Sequence, residues 1–302
     1  MPALFLTGGT GFVGRVLLAR LLARPAGDVT CLVRDPARLI VPAGGRTPRV
    51  VGGDLGSVEA LAEAMRGCDV VLHLAASTGK ATAAAHQRAN LEGTRTLIAA
   101  AKRVGVPRFV YVSTIAAGFP DQRFYPYAAS KAAAEVAVRE SGLDWTIVRP
   151  TIVLGPDSPI GVAFAKLAGG PAVMMFGDGK ARVQPIDVGD LANVLVAVLD
   201  SSAVSHDTID AGGPEEISFE ELLAGVRQRL RGSRTPVLHL PLTLLRYALA
   251  AFEPLLFSVL PLTAGQLAAF ANDSVARPHP LTTALRPGMQ SVDQMLATRN
   301  PA

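Results

Sequence analysis

The chain has 302 residues, 49% of them hydrophobic and 18% charged. That composition excludes a disordered polymer and supplies core material for about two domains. Its 29 Lys and Arg against 25 Asp and Glu leave a net charge of +4, and no basic run exceeds two residues, so nucleic acid is not an expected partner.

Cys31 and Cys68 lie in or beside apolar runs without a CxxC pairing, which reads as reduced thiols rather than a disulfide scaffold. The five histidines lack HxxH or HExxH spacing, so no metal site is expected. The apolar start is too short for a signal peptide and runs into a glycine turn, which makes a cytoplasmic chain the expectation.

In chain order, short apolar runs at Ala3–Thr7, Val29–Val33, Arg49–Val51, Val70–His73, Phe109–Ser113 and Thr146–Arg149 alternate with helical patterns at Val13–Leu22, Val58–Met65, Ala83–Arg103 and Ala128–Ser141. Continuous apolar strands separated by helices predict a parallel sheet covered on both faces, the doubly wound α/β (Rossmann) architecture. Prolines and glycines crowd Pro156 to Gly179 and predict loops around a ligand cleft. Helices are predicted at Asp187–Leu199 and Phe219–Leu230, and Asp187 and Asp190 read as caps at the start of the first. A strand at Thr208–Ala211 is expected to return segment 180–215 to the sheet. The run Pro241–Thr263 has the length of a membrane span but is broken by Arg246, Glu253, Pro254 and Pro261. It reads as a packed helix or pocket wall, with a peripheral contact to a membrane or protein partner as the alternative.

Gly8, Gly11 and Gly14 form a G-x-x-G-x-x-G run directly after the first strand and at the opening of the first helix. In that context the glycines allow a tight turn, close approach of a pyrophosphate, and helix packing, while the helix N-terminus offers free N–H groups. Thr10, Phe12 and Val13 belong to the same phosphate loop. Residues 1–150 are thus expected to bind NAD(P), and 151–302 to form a smaller, mainly helical part that closes on a small-molecule substrate. At the end of the second strand stands Arg34, followed by Asp35 ahead of Pro36. An arginine there suits the 2′-phosphate of NADP, with NAD the alternative. Asp54 and Leu55 after the third strand, and Leu74, Ala75 and Ala76 after the fourth, are placed to line the nucleotide; Asp54 also suits a turn cap.

These segments resemble the short-chain dehydrogenase/reductases in their extended form. TGGTGFVG, GDL, HLAA, the Asn90 helix, RFVYVST, YAASK and VRPTIVLGP follow the family's order across roughly residues 3–215. The distal stretches SGLDWTIVRPTIVLGP, VQPIDVGDLA, DAGGPEEISFEELL and PLTAGQLAAF are similar to an atypical branch that includes the nucleotide-binding accessory subunit of respiratory complex I. The resemblance implies that Lys131 holds the nicotinamide ribose, that Asn90 supports a water relay to it, and that Pro150 and Ile152 lie beside the nicotinamide carboxamide. It also implies pairing of two copies through the helices near 83–103 and 128–141. The complex I branch implies a cofactor-holding accessory protein, peripheral to the inner membrane, as an alternative to an enzyme; a nucleotide-sugar epimerase or dehydratase is a further alternative.

Tyr127 and Lys131 lie four residues apart, on one helical face. A phenol with an ordinary pKa of about 10 must fall by roughly three units to act as a base near neutral pH, and the Lys131 ammonium together with an oxidised nicotinamide is expected to favour the phenolate. Ser113 and Thr114 end the fifth strand and are the candidate hydroxyl donors to a carbonyl oxygen. Thr114 precedes Tyr127 by 127 − 114 = 13 residues, a spacing that resembles the shorter family members and abbreviates the loop Ala116–Phe124. The expected chemistry is hydride transfer between NADP and a small apolar carbonyl or alcohol.

Overall fold

The structure, a computed structural model, describes residues 2–25, 27–257, 259 and 262–297. Seven parallel strands form the central sheet: β1 (Leu4–Thr7), β2 (Val29–Val33), β3 (Arg49–Gly52), β4 (Val70–His73), β5 (Arg108–Val112), β6 (Asp144–Pro150) and β7 (Asp207–Ala211). Their spatial order is β7-β6-β5-β4-β1-β2-β3. The order reverses between β1 and β4, which opens a crevice at their carboxyl ends, where ligands bind in open α/β sheets.

The central strands β1 and β4, with β2, are buried along their length because both faces are covered, whereas the edge strand β3 is largely exposed. Leu4 and Leu6 of β1 pack with Leu17, Leu18 and Leu21 of α1 (Phe12–Leu22) and with Leu191 and Leu195 of the helix Val188–Asp200. Phe5 points the other way, into a second core formed by α2 (Val58–Met65), α3 (83–104) and α4 (Pro126–Arg139). This is the period-2 alternation of a strand applied to a sheet with two buried faces. Helix α3 joins an α-turn Ala83–His86, a π-turn Gln87–Glu92 and the α-helix Gly93–Val104. The π-turn, within a segment whose sequence predicts an ordinary helix, brings Asn90 inward.

Between Pro156 and Gly179 the structure differs from the expected loops. Ser158 caps α5 (Pro159–Ala168), with Pro159 in its first turn, so the proline starts a helix here instead of breaking one. Val173–Phe176 then forms a parallel pair with Val237–Leu240. Asp187 caps α6 (Val188–Asp200) by accepting from the Gly189 N–H at 2.7 Å. α7 (Phe219–Arg231) begins with a reciprocal Ser218/Glu221 capping box. Phe164 of α5, Phe219 and Leu223 of α7, and Met295 form a third core, belonging to the C-terminal part. β7 pairs with β6, and the Thr151 N–H donates to the Ala211 carbonyl at 3.0 Å, so the C-terminal part is threaded through the sheet's edge.

The apolar run after Pro241 contains α8 (Leu242–Leu256); Pro261 lies outside the described residues. Among those residues no helix is long and apolar enough to cross a membrane.

Candidate active site

The glycine loop is shaped by close backbone approaches. Gly8 has φ +79°, and a Cβ there would lie 2.6 Å from the Ala75 nitrogen. A Cβ on Gly14 would lie 2.0 Å from the Gly8 carbonyl oxygen. These two glycines are required by the protein itself. Gly11 differs: its Cβ would meet only the Gly8 oxygen, at 3.2 Å, and it faces solvent. Gly11 is also the N-cap of α1, and no side chain caps the helix. Open space at Gly11 and free N–H groups in the first turn fit a pyrophosphate.

Thr10 is half-buried in this loop. Phe12 turns its ring toward Gly155, and Val13 packs on the edge of the core, so both face the loop through their backbone. Arg34 is exposed at the end of β2, whereas the Asp35 carboxylate accepts from the Ala37 N–H at 3.1 Å. Asp54 is occupied by a turn, accepting from Gly56 N–H at 2.8 Å, and Leu55 packs against Gly93. Leu74 touches the core, the Ala75 N–H donates to the Thr7 hydroxyl at 3.2 Å, and Ala76 is exposed. Pro150 is buried at the last pair of β6 with β7, and Ile152 packs on the C-terminal core.

Below the crevice, His73 ties three elements together. Its ring nitrogens lie 2.7 Å from the Thr7 hydroxyl and 3.0 Å from that of Thr94. Burial, helped by Lys131, pushes its pKa down to about 3, so it stays neutral. Asn90 holds the loop after β4. Its amide donates to the Ser77 carbonyl at 3.1 Å and the Ser130 hydroxyl at 3.0 Å, and its oxygen accepts from the Ser77 N–H at 2.7 Å. The side chain thus acts as a clasp between α3, α4 and that loop.

Tyr127 and Lys131 share the inner face of α4. The Lys131 Nζ donates to the Val112 carbonyl at 2.8 Å and sits 4.1 Å from the centre of the Tyr111 ring. Burial pushes its pKa down to about 7, against the opposing pull of Glu135. Tyr127 is pushed up to about 12 by burial, with the Thr114 hydroxyl working the other way. In the protein alone, loss of hydration outweighs the Thr114 hydroxyl at the phenol, and the Lys131 ammonium is directed to the Val112 carbonyl. His86 and Tyr125 flank the phenol, with ring centres at 5.7 and 5.8 Å.

The two candidate hydroxyls separate. Thr114 lies with Tyr127. Ser113 is buried and faces Glu135, two turns along α4 from Tyr127. Phe109 and Tyr111 of β5 already point into the core beneath α4, and Ser113 continues their parity.

Sequence reasoning missed the charges behind Lys131. Glu135, one turn along α4, accepts from Arg149 and Arg139. Asp210 of β7, also buried, pairs with Arg277 at 2.8 Å. The signal for Glu135 was its i+4 spacing from Lys131; Arg149 comes from a different strand.

The carboxyl ends of β1, β4 and β5 are neighbours in the sheet, so the glycine loop, the Asn90-clasped loop and Thr114 with Tyr127 share one rim. This chain matches the NAD(P)H-binding family model over residues 8–202 and belongs to that family, within the Rossmann-type short-chain dehydrogenase/reductase and epimerase/dehydratase proteins. Over 172 residues it is 40% identical to 4-hydroxy-2-methyl-3-oxo-4-farnesyl-3,4-dihydroquinoline-1-oxide ketoreductase of Stigmatella aurantiaca, a match that covers 51% of each chain, so it spans about half of that relative's length. Over 237 residues it is 32% identical to ceramide reductase of Caulobacter vibrioides, covering 78% of this chain and 73% of the relative. Among solved structures, a double mutant of DesIV, the dTDP-glucose 4,6-dehydratase of Streptomyces venezuelae, with NAD and DAU bound, is 29% identical, with a TM-score of 0.65 over 79% of this chain and 84% of the other.

Proposed function

We propose that this chain is an NADP-dependent ketoreductase that acts on the carbonyl of an apolar molecule. The observation that carries the reading is the meeting of the Tyr127 phenol with Thr114 on the rim that also holds the glycine loop. When bound, the nicotinamide supplies the hydride. The loop around Gly11, with the first-turn N–H groups of α1, holds the pyrophosphate. Arg34 takes the 2′-phosphate of NADP, because the neighbouring carboxylate of Asp35 is committed to Ala37.

Tyr127, kept protonated by burial, donates its proton to the substrate oxygen as charge develops there. With its pKa pushed up to about 12, the phenol carries at rest the proton that this step requires. Thr114 orients the carbonyl oxygen toward that phenol. Lys131, at about 7, can return a proton to the site, and Glu135 behind it supports its charged form. Two relatives named as reductases of a farnesylated quinoline oxide and a ceramide support an apolar substrate.

Titration with NADPH and NADH, read by nicotinamide fluorescence and by the lone tryptophan, Trp145, followed by turnover assays on long-chain ketones, tests the reading. NADPH is expected to bind more tightly than NADH and to exchange freely. Tyr127→Phe is expected to lower turnover by about 10³-fold while leaving NADPH binding intact. Cofactor that copurifies and never exchanges would favour the holding role implied by the complex I accessory branch. Turnover of a nucleotide sugar without net oxidation would favour an epimerase.

A further inference from the structure

Helix α8 is turned inside out. Its two formal charges face the protein: Arg246 is 8% exposed and donates to Asp121 at 2.7 Å and to the Arg123 carbonyl at 3.0 Å. Glu253 is half-buried and accepts from the Ala264 N–H at 3.1 Å. Apolar side chains face outward: Leu244 is 67% exposed, Tyr247 51%, Phe252 56% and Leu255 83%, with Val259 beyond the helix at 73%. Leu244, Tyr247, Leu255 and Val259 follow the three- and four-residue helical repeat, with Phe252 beside Leu255, so together they cover one broad face opposite Arg246 and Glu253. A surface helix of a monomer normally shows the reverse arrangement.

The face is bordered by cations from two loops of the candidate site. Arg123 donates to the Tyr247 hydroxyl at 3.0 Å, and Lys80 lies 5.0 Å from the centre of the Phe257 ring. Arg123 precedes Tyr127 in the loop after β5, next to Phe124, whose ring packs edge-on to Tyr247 at 5.6 Å. Lys80 belongs to the loop after β4 that Asn90 clasps through Ser77. Among the described residues, the carboxylates bound to this helix and its flank, Asp121 and Glu253, are each engaged with a protein donor. Arg123 also pairs with Asp121, at 3.8 Å, while staying exposed; Lys80, Arg123 and Arg246 outnumber Asp121 and Glu253, so the rim carries a net positive charge where the face is apolar and aromatic. An apolar face with aromatic residues and a basic border suits the headgroup boundary of an anionic bilayer. A second copy of the chain would meet this border with like charge.

We propose that the outer face of α8, with Lys80 and Arg123 at its edge, docks on an anionic phospholipid surface, and that the carbonyl substrate enters the site from that surface. The substrate clause rests on the ketoreductase reading; the docking clause stands without it.

The test is flotation of the full-length protein with phosphatidylcholine vesicles, with and without about one-third phosphatidylglycerol. The protein is expected to float with the anionic vesicles, less with phosphatidylcholine alone, and less in high salt. Leu244→Glu combined with Leu255→Glu should weaken vesicle binding by about tenfold or more, with thermal stability and turnover of a water-soluble ketone unchanged. Lys80→Glu should remove the preference for anionic lipid. No flotation, or a concentration-dependent dimer that Leu244→Glu dissociates, would overturn the docking. Flotation without turnover of any ketone, soluble or vesicle-borne, would overturn the ketoreductase reading and the entry route and leave the docking standing.

Discussion

Glu135 accepts two hydrogen bonds from Arg149, at 2.8 and 2.5 Å, although its side chain is only 1% exposed. Burial raises the Glu135 pKa, but the bonds from Arg149 and Arg139, with the Ser113 hydroxyl facing the carboxylate, outweigh it and hold the carboxyl below its ordinary value of 4.5. Removing one partner strands the other charge. Glu135→Gln is expected to cost about 3–5 kcal/mol in urea unfolding, and pairing Glu135→Met with Arg149→Met should recover much of it. Since the folded pKa is depressed, this contribution is present above the unfolded pKa and disappears as pH falls through the folded one. The wild type should therefore lose its advantage over Glu135→Gln in acid.

The glycine loop offers a paired comparison. Gly14→Ala would place a Cβ 2.0 Å from backbone, so it should destabilise the fold and abolish NADPH binding together. Gly11→Ala meets only one oxygen, at 3.2 Å. It should leave the melting temperature nearly unchanged while weakening NADPH by about tenfold or more, because its methyl group occupies the space beside the N–H groups. Equal losses of stability in the two variants would refute the assignment of that space to a ligand.

Thr114 and Ser113 differ in what they face. Thr114→Ala should lower kcat about a hundredfold, as expected for loss of a group that positions the reacting oxygen. Ser113→Ala should leave kcat near wild type and act on stability, through Glu135. A large kcat effect confined to Ser113 would reverse the assignment.

Lys131 carries a stability signature of its own. Its folded pKa of about 7 lies below its ordinary 10.5. In the window between them the unfolded chain binds a proton that the folded chain does not, so stability rises with pH. Between about pH 7 and pH 9 the wild type should gain about 2 kcal/mol relative to Lys131→Met. A parallel pair of pH profiles would mean that Lys131 stays fully charged when folded.

The sheet and its glycine loop were legible because both faces of every central strand are buried, which leaves unbroken apolar runs such as Val70–His73. The Tyr127–Lys131 spacing was legible because it lies within one helix. The choice between Ser113 and Thr114 was not, since it depends on the parity of β5 relative to α4. Arg149 reaches Glu135 from the next strand, a contact that no local pattern encodes. For α8 the apolar run was plain, but hydropathy carries no information on which side of a helix meets the protein. The helix Pro159–Ala168 was hidden by its flanking prolines and glycines.

The last strand of the sheet has a consequence for how this chain can be made or divided. β7 is supplied by residues 207–211 and closes the open side of β6. A nascent chain that has emerged only as far as Pro150 presents the Thr146–Pro150 backbone as a bare, sticky edge. Ile209, which completes the core beside Val148, is then still to be synthesised. Expression of residues 1–150 alone should yield an aggregating fragment, and a split pair that reassembles would have to keep β6 and β7 on the same piece.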